Sequence, residues 1–228
     1  MRRYPAFVIN LRERTTRLDA FARRARSAGL SCERIDAVDT RDLAKLSARA
    51  DAIDGEAHAR LLETVRRGHR LSHADLTPGA IGCALSHVEV SRRALRRRLP
   101  CALVFEDDAW LWAGGAEWMS GIITRAAPGW DCLLFGWNGA PTMSGGAELQ
   151  RVVRFTGMHA YALSESGMAA MVELNTPVRT HVDQALSEAA ARGQVTIFGV
   201  NRQEDRIQQQ AKGSDVQQGY VVKTLGTT

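Results

Sequence analysis

The 228-residue sequence contains no apolar run near the roughly 18–20 residues that a membrane span requires, which argues against a transmembrane segment. Its first residues are basic (Arg2, Arg3) but lead into only a four-residue apolar stretch, too short for the core of a signal peptide. That stretch reads as a first strand. Lysine is scarce, three against 27 arginines, and with 33 alanines this bias is the mark of GC-rich coding and not of adaptation. The four cysteines (Cys32, Cys83, Cys101 and Cys132) form no Cys-x-x-Cys pair, and three lie in apolar surroundings. With no export signal, the expectation is reduced, mostly buried thiols in a cytoplasmic protein. A Gly-x-Ser-x-Gly elbow is missing, which removes support for a serine hydrolase. His69 and His73 stand four apart, as helical zinc ligands would, but Gly68 and Ser72 interrupt the helix and no third ligand is evident. No internal repeat is visible.

What is present fits a globular enzyme or binding protein. Apolar residues make up 45% and charged residues 24%, near the globular average. A chain of this length buries roughly 70–75% of its unfolded surface and needs no staple. The net charge is +5, concentrated in eight arginines within residues 1–26 and in Arg92, Arg93, Arg96, Arg97 and Arg98. Such patches attract nucleic acid, anionic lipid or a nucleotide, or they are simply a solvated helix face. The five tryptophans lie away from these clusters, against a stacking nucleic-acid module.

Strand-like and helix-like stretches alternate. Strands are predicted over 7–11, 32–38, 101–105, 131–135, 152–155, 158–163 and 195–200. Helices are predicted over 15–28, much of 40–70, 81–99, 116–126, 165–174 and 181–191. Residues 136–146, with four glycines and a proline, read as a loop, and the last 28 residues as extended. The alternation predicts one α/β domain with a mostly parallel sheet covered on both faces, its ligand beyond the carboxyl ends of the strands.

Glu106-Asp107-Asp108 ends the most strand-like run. Alternation along a strand sets Glu106 and Asp108 on one side and Asp107 on the other. Two converging carboxylates repel unless a cation joins them or one takes a proton, so the pair suits Mn²⁺ or Mg²⁺; a solvated acidic turn is the alternative. Glycines at 79 and 82 beside a helix start permit close backbone approach and leave N–H groups for phosphate, although the segment is neither a Walker nor a Rossmann fingerprint. Taken alone, the pattern reads first as a tightly packed helix with ordinary hydrogen bonds at Ser86 and His87. Asp183, at a predicted helix start, complements the helix dipole.

In order, these pieces resemble glycosyltransferase family 25, the bacterial lipopolysaccharide sugar transferases and collagen galactosyltransferases. The likeness runs through Phe7-Val8-Ile9-Asn10-Leu11 with Arg14 and Arg17, then Ile35-Asp36-Ala37-Val38-Asp39, then Gly79-Ala80-Ile81-Gly82-Cys83-Ala84-Leu85-Ser86-His87. It continues through Leu103-Val104-Phe105-Glu106-Asp107-Asp108-Ala109, Gly157-Met158-His159-Ala160-Tyr161, Val182-Asp183, Gln210 and Ser214-Asp215. Thr16 stands where the family often carries an acidic residue, and the segment after Ser214 is too short for the family's basic lipid-docking tail.

The resemblance implies a GT-A-like α/β/α domain over residues 1–217 with a short tail at 218–228. It implies an inverting transfer of a sugar, a hexose, from a UDP-type nucleotide donor to an acceptor hydroxyl in surface-glycan or lipopolysaccharide assembly. Asp108 and Glu106 would hold Mn²⁺ or Mg²⁺, and Asp183 would be the catalytic base. Ile9, Asn10, Leu11, Arg14, Ser86, His87 and Asp107 would border the donor, and Gly157, His159, Tyr161, Gln210 and Ser214 would form a donor or acceptor loop. The expected partners are a nucleotide sugar and a glycan or lipid-linked acceptor, with the arginine clusters free to meet an anionic membrane surface or nucleic acid. The expected location is cytoplasmic, peripheral at the inner membrane face. A transferase acting on hydroxymethylated DNA bases or on protein, a catalytically silent sugar-nucleotide-binding subunit, and a basic nucleic-acid module without chemistry remain as alternatives.

Overall fold

A computed structural model describes residues 3–67, 71, 75–139, 148–201 and 207–209. The first apolar run forms β1 (Ala6–Asn10), buried throughout, and α1 (Thr15–Ser27) follows, with Gly29 at φ +82° providing its stop. After β2 (Cys32–Asp36), the stretch predicted as helical is broken into α2 (Leu43–Ser47), a 3₁₀ turn at Ala50–Ala52, and α3 (Gly55–Arg66). Two aspartates account for the breaks. Asp42 and Asp54 sit in non-helical conformations and accept hydrogen bonds from the amides of Lys45 (2.8 Å) and Ala57 (3.2 Å), so each starts a new helix.

The long helix α4 (Pro78–Arg96) begins three residues earlier than expected, because Thr77 caps it by accepting from the Ala80 amide and Pro78 occupies its first position. Then come β3 (Cys101–Glu106), β4 (Ala109–Leu111), α5 (Gly115–Arg125) and β5 (Cys132–Asn138). The chain continues through β6 (Leu149–Arg151), β7 (Thr156–Ser164), α6 (Glu165–Leu174), α7 (Val182–Ala191), β8 (Ile197–Val200) and β9 (Ile207–Gln209).

Seven strands form the main sheet in the order β2-β1-β3-β7-β5-β8-β6, while β4 and β9 pair as a separate antiparallel ribbon. Five strands of the large sheet run the same way; β7 and β6 run against them. Neighbouring residues along the central strands face opposite layers. Val8, Leu103 and Leu133 pack with Phe21 of α1 and Ile122 of α5. Phe7, Val104 and Leu134 pack with Ile81 of α4, Met171 of α6 and Leu186 of α7. This is the α/β/α layering with a mostly parallel sheet that the resemblance implies.

Two sequence expectations are corrected. Residues 152–155 are not a strand: Val152 and Phe155 are buried core plugs, and the Phe155 amide donates to Ser187 Oγ (3.1 Å) instead of to a strand partner. Residues 136–138, read as loop, continue β5, with Trp137 buried; residues 140–146 of that predicted loop lie outside the described residues. So do His69, His73 and the chain beyond Gln209. All four cysteines are free thiols, as expected.

One close approach sets the geometry above the sheet. A Cβ on Gly82 would stand 2.4 Å from the Val38 carbonyl oxygen and 2.6 Å from Thr40 Oγ1, so only glycine lets α4 lie against the segment after β2. Gly82→Ala is expected to destabilise the protein by about 1–3 kcal/mol through overpacking, measured as a lowered urea midpoint with an unchanged slope.

Candidate functional site

Ile9 pairs with Glu106 in the β1–β3 register, so the carboxyl ends of these strands lie side by side. They open onto a cleft walled by residues 37–41 after β2 and by the first turns of α4. Ser86 holds that wall: its hydroxyl donates to the Gly82 carbonyl (2.6 Å) and accepts from the Val38 amide (2.8 Å). Thr40 Oγ1 adds a bond to the Pro78 carbonyl (2.6 Å). At the rim, Arg41 and Lys45 bind Asp39 and hold its carboxyl well below the usual range, and Arg41 also pairs with Glu13.

The acidic triplet does not follow the alternation expected of it. The strand ends at Glu106, and Asp107 and Asp108 form the turn into β4, so the three side chains fan out. Asp107 faces α1, accepting from Asn10 Nδ2 (2.6 Å) and from Arg17. Asp108 shares that Arg17 guanidinium (3.4 Å) and accepts from Gln209 Nε2 of β9 (3.2 Å). Glu106 faces α4, its Oε1 3.4 Å from His87 Nε2 and 3.9 Å from Cys83 Sγ. Behind it, His87 Nδ1 and the Tyr161 hydroxyl share a buried hydrogen bond of 2.5 Å.

Burial and mutual repulsion divide the three carboxyls. Burial, opposed by Arg17 and Asn10, leaves Asp107 above its ordinary value. Burial reinforced by the charge of Glu106 pushes Asp108 up to about 7. For Glu106 burial acts upward too, but the His87 hydrogen bond and the charges of His87, His159 and Arg17 outweigh it and the value falls. Asp108 Oδ1 is buried and meets no hydrogen-bond donor among the described residues. Once ionised, that oxygen is acceptor-only, and a hard divalent cation would fit it.

The structure thus brings Ile9, Asn10, Leu11, Ser86, His87, Glu106, Asp107 and Asp108 to one cleft. Arg14 contributes its backbone, accepting from Asn10 Nδ2 (3.1 Å) just ahead of α1. Tyr161 stands behind His87, and the buried His159 ring lies against Gly136, where a Cβ would come within 2.4 Å of its Nε2. Burial lowers the His159 pKa, with Glu106 acting against it. Asp183 is not among the cleft-lining side chains: its Oδ2 accepts from the Gly157 amide (2.7 Å) and its Oδ1 from the Gln184 amide (2.8 Å). It is nonetheless close enough to act electrostatically on Cys83. Gln210 and Ser214 lie outside the described residues.

The sequence gives Arg17, Asp39 and Cys83 a place in the segments that carry the resemblance but no role in the site, and it does not single out Arg41 or Gln209; spatial pairing supplies those roles. Spatial pairing also bears on the charge: Arg93 and Arg97 share Glu33, and Arg96 binds Glu89, so three arginines of this cluster meet two carboxylates and the cluster stays net basic. No helix among the described residues is long and apolar enough to cross a membrane.

A raised folded-state pKa has a defined sign in linkage. Between the unfolded value near 4 and about 7, the folded protein holds a proton at Asp108 that the unfolded chain has lost, so this residue's contribution to stability falls as pH rises. Asp108→Asn is therefore expected to stabilise the metal-free protein at pH 8, by something on the order of 2 kcal/mol, and to have little effect at pH 4. Urea unfolding at the two pH values measures the difference.

Two solved structures match at low TM-score and low identity. Mouse xyloside xylosyltransferase 1 in its apo form matches with a TM-score of 0.45 and 12% identity, over 87% of this chain and 85% of that one. Mannose-1-phosphate geranyltransferase from Thermus thermophilus matches with a TM-score of 0.41 and 14% identity, over 88% and 74%. The sequence itself is more specific. Residues 4–120 match the model of glycosyltransferase family 25, described as an LPS biosynthesis protein. That match takes in β1, the cleft wall, α4 and the acidic turn, just over half of the 228 residues. By it, the chain belongs to glycosyltransferase family 25, and it is a glycosyltransferase.

Proposed function

We propose that this glycosyltransferase moves a hexose from a UDP-linked donor to an acceptor hydroxyl of a lipopolysaccharide or related surface glycan, with inversion and with a divalent cation. The observation that carries the metal reading is the buried Asp108 Oδ1, which meets no donor among the described residues and belongs to a residue lining the same cleft as Glu106. Asp108 and Glu106 are the residues that would hold Mn²⁺ or Mg²⁺. Bound there, the cation supplies positive charge that offsets the negative charge growing on the departing diphosphate.

The chain's own residues do the rest. Arg17 and Asn10 fix the Asp107–Asp108 turn, so the acidic oxygens need no reorganisation when the donor arrives. Ile9 and Leu11 border the nucleotide on one side, and the segment held by Ser86 and Thr40 borders it on the other. Asp183 takes the proton from the acceptor hydroxyl. Its two backbone amide bonds set the orientation of the carboxylate and leave further lone pairs for that task. Gly157 holds Asp183 through its amide, and the buried Tyr161 holds His87 from behind. Residues 1–217 act as one catalytic domain, working in the cytoplasm at the inner membrane face.

A thermal-shift screen of nucleotide sugars tests the donor and the metal together: one UDP-hexose is expected to raise the melting temperature, and only with Mn²⁺ or Mg²⁺ present. A rise that is the same without metal removes Asp108 and Glu106 from the proposed role. In transfer assays, Asp108→Asn is expected to abolish turnover. Asp183→Asn is expected to lower kcat by about 10²–10⁴ with donor KM little changed. Near-normal turnover in either variant, with circular dichroism showing an intact fold, rejects the corresponding assignment.

A further inference from the structure

One cluster at the cleft has a different chemistry from the acidic turn. Cys83 and His87 stand one turn apart on α4 and face Glu106, and one ligand atom from each side chain lies within 4.8 Å of the other two. A thiol, an imidazole and a carboxylate form a borderline donor set, suited to Zn²⁺ or Co²⁺ more than to Mg²⁺. One further observation points the same way. The remaining ring nitrogen of His87 is bonded to the Tyr161 hydroxyl, as the outer nitrogen of a metal-bound histidine is held by a fixed partner.

We propose that Cys83, His87 and Glu106 form a site for a borderline transition-metal ion, and that its occupation competes with the donor cation because both need Glu106. Binding converts the Cys83 thiol to a thiolate, its proton passing to solvent, and three protein ligands leave a coordination position open. Zn²⁺ at this site withdraws Glu106 from the acidic turn and so inhibits transfer. The ligand set stands independently of the donor reading; only the competition rests on it.

Co²⁺ titration of the metal-free protein tests the site without any assay of transfer. The expected result is a near-ultraviolet thiolate-to-cobalt charge-transfer band that saturates at one ion per chain. It should persist in Cys32→Ser and vanish in Cys83→Ser, and Glu106→Gln should weaken Co²⁺ binding about tenfold or more. A missing band, or one that survives in Cys83→Ser, overturns the proposal. X-ray absorption on the unmodified protein loaded with one Zn²⁺ gives a second readout that needs no variant. One sulfur neighbour at about 2.3 Å is expected, and a shell of oxygen and nitrogen alone overturns the site. Adding Mn²⁺ to the cobalt-loaded protein tests the sharing: loss of the band is expected. Retention of the full band at saturating Mn²⁺ rejects the competition while leaving both the cobalt site and the donor reading standing.

Discussion

The arrangement of the site depends on a single guanidinium. Arg17 reaches from the first turn of α1 to both aspartates of the turn that ends β3, and Asn10 ties one of them to the end of β1. Without that cation, adjacent buried carboxylates would repel one another and the turn would open. Arg24 of the same helix reinforces the grip, donating to the Asp107 and Ala109 carbonyls (both 3.3 Å). One helix thereby fixes the backbone of the acidic turn and neutralises part of its charge. The unsatisfied remainder, chiefly at Asp108, is left facing the cleft.

On the opposite layer α4 does complementary work. Its close approach to residues 38–40, allowed by Gly82 and fastened by Ser86 and Thr40, makes the second wall of the cleft and aims His87 at Glu106. Glu106 thus belongs electrically to α4, whereas Asp107 and Asp108 belong to α1. The three acids, consecutive in sequence, have three different environments because the strand ends between the first and second of them.

Most of the fold was legible in the sequence because its signals are local. The apolar runs at β1, β3 and β5, the glycine after α1 and the proline beside Thr77 each state a boundary in a few residues. What failed was equally physical. Val152 and Phe155 are apolar because they plug the core, and the same composition mimics a strand. Asp42 and Asp54 lie within a stretch read as helical, and the caps they form divide it. The acidic triplet and the Gly-Cys-Ala-Leu-Ser-His segment could be picked out by order and spacing. The Arg17–Asp107 and Asp39–Arg41–Glu13 pairings could not, since they join residues whose separation in the chain carries no pattern. The expected direction of Asp108 went wrong for a related reason: alternation holds only while the strand lasts.

The bond from Gln209 to Asp108 spans 101 positions of chain and brings the β9 segment against the acidic turn. The site is therefore closed by a piece of polypeptide made long after the strands that carry its other groups. A ribosome must finish that piece before Asp108 has its full set of neighbours, so a nascent chain released near residue 200 has its central sheet but an acidic corner lacking one wall.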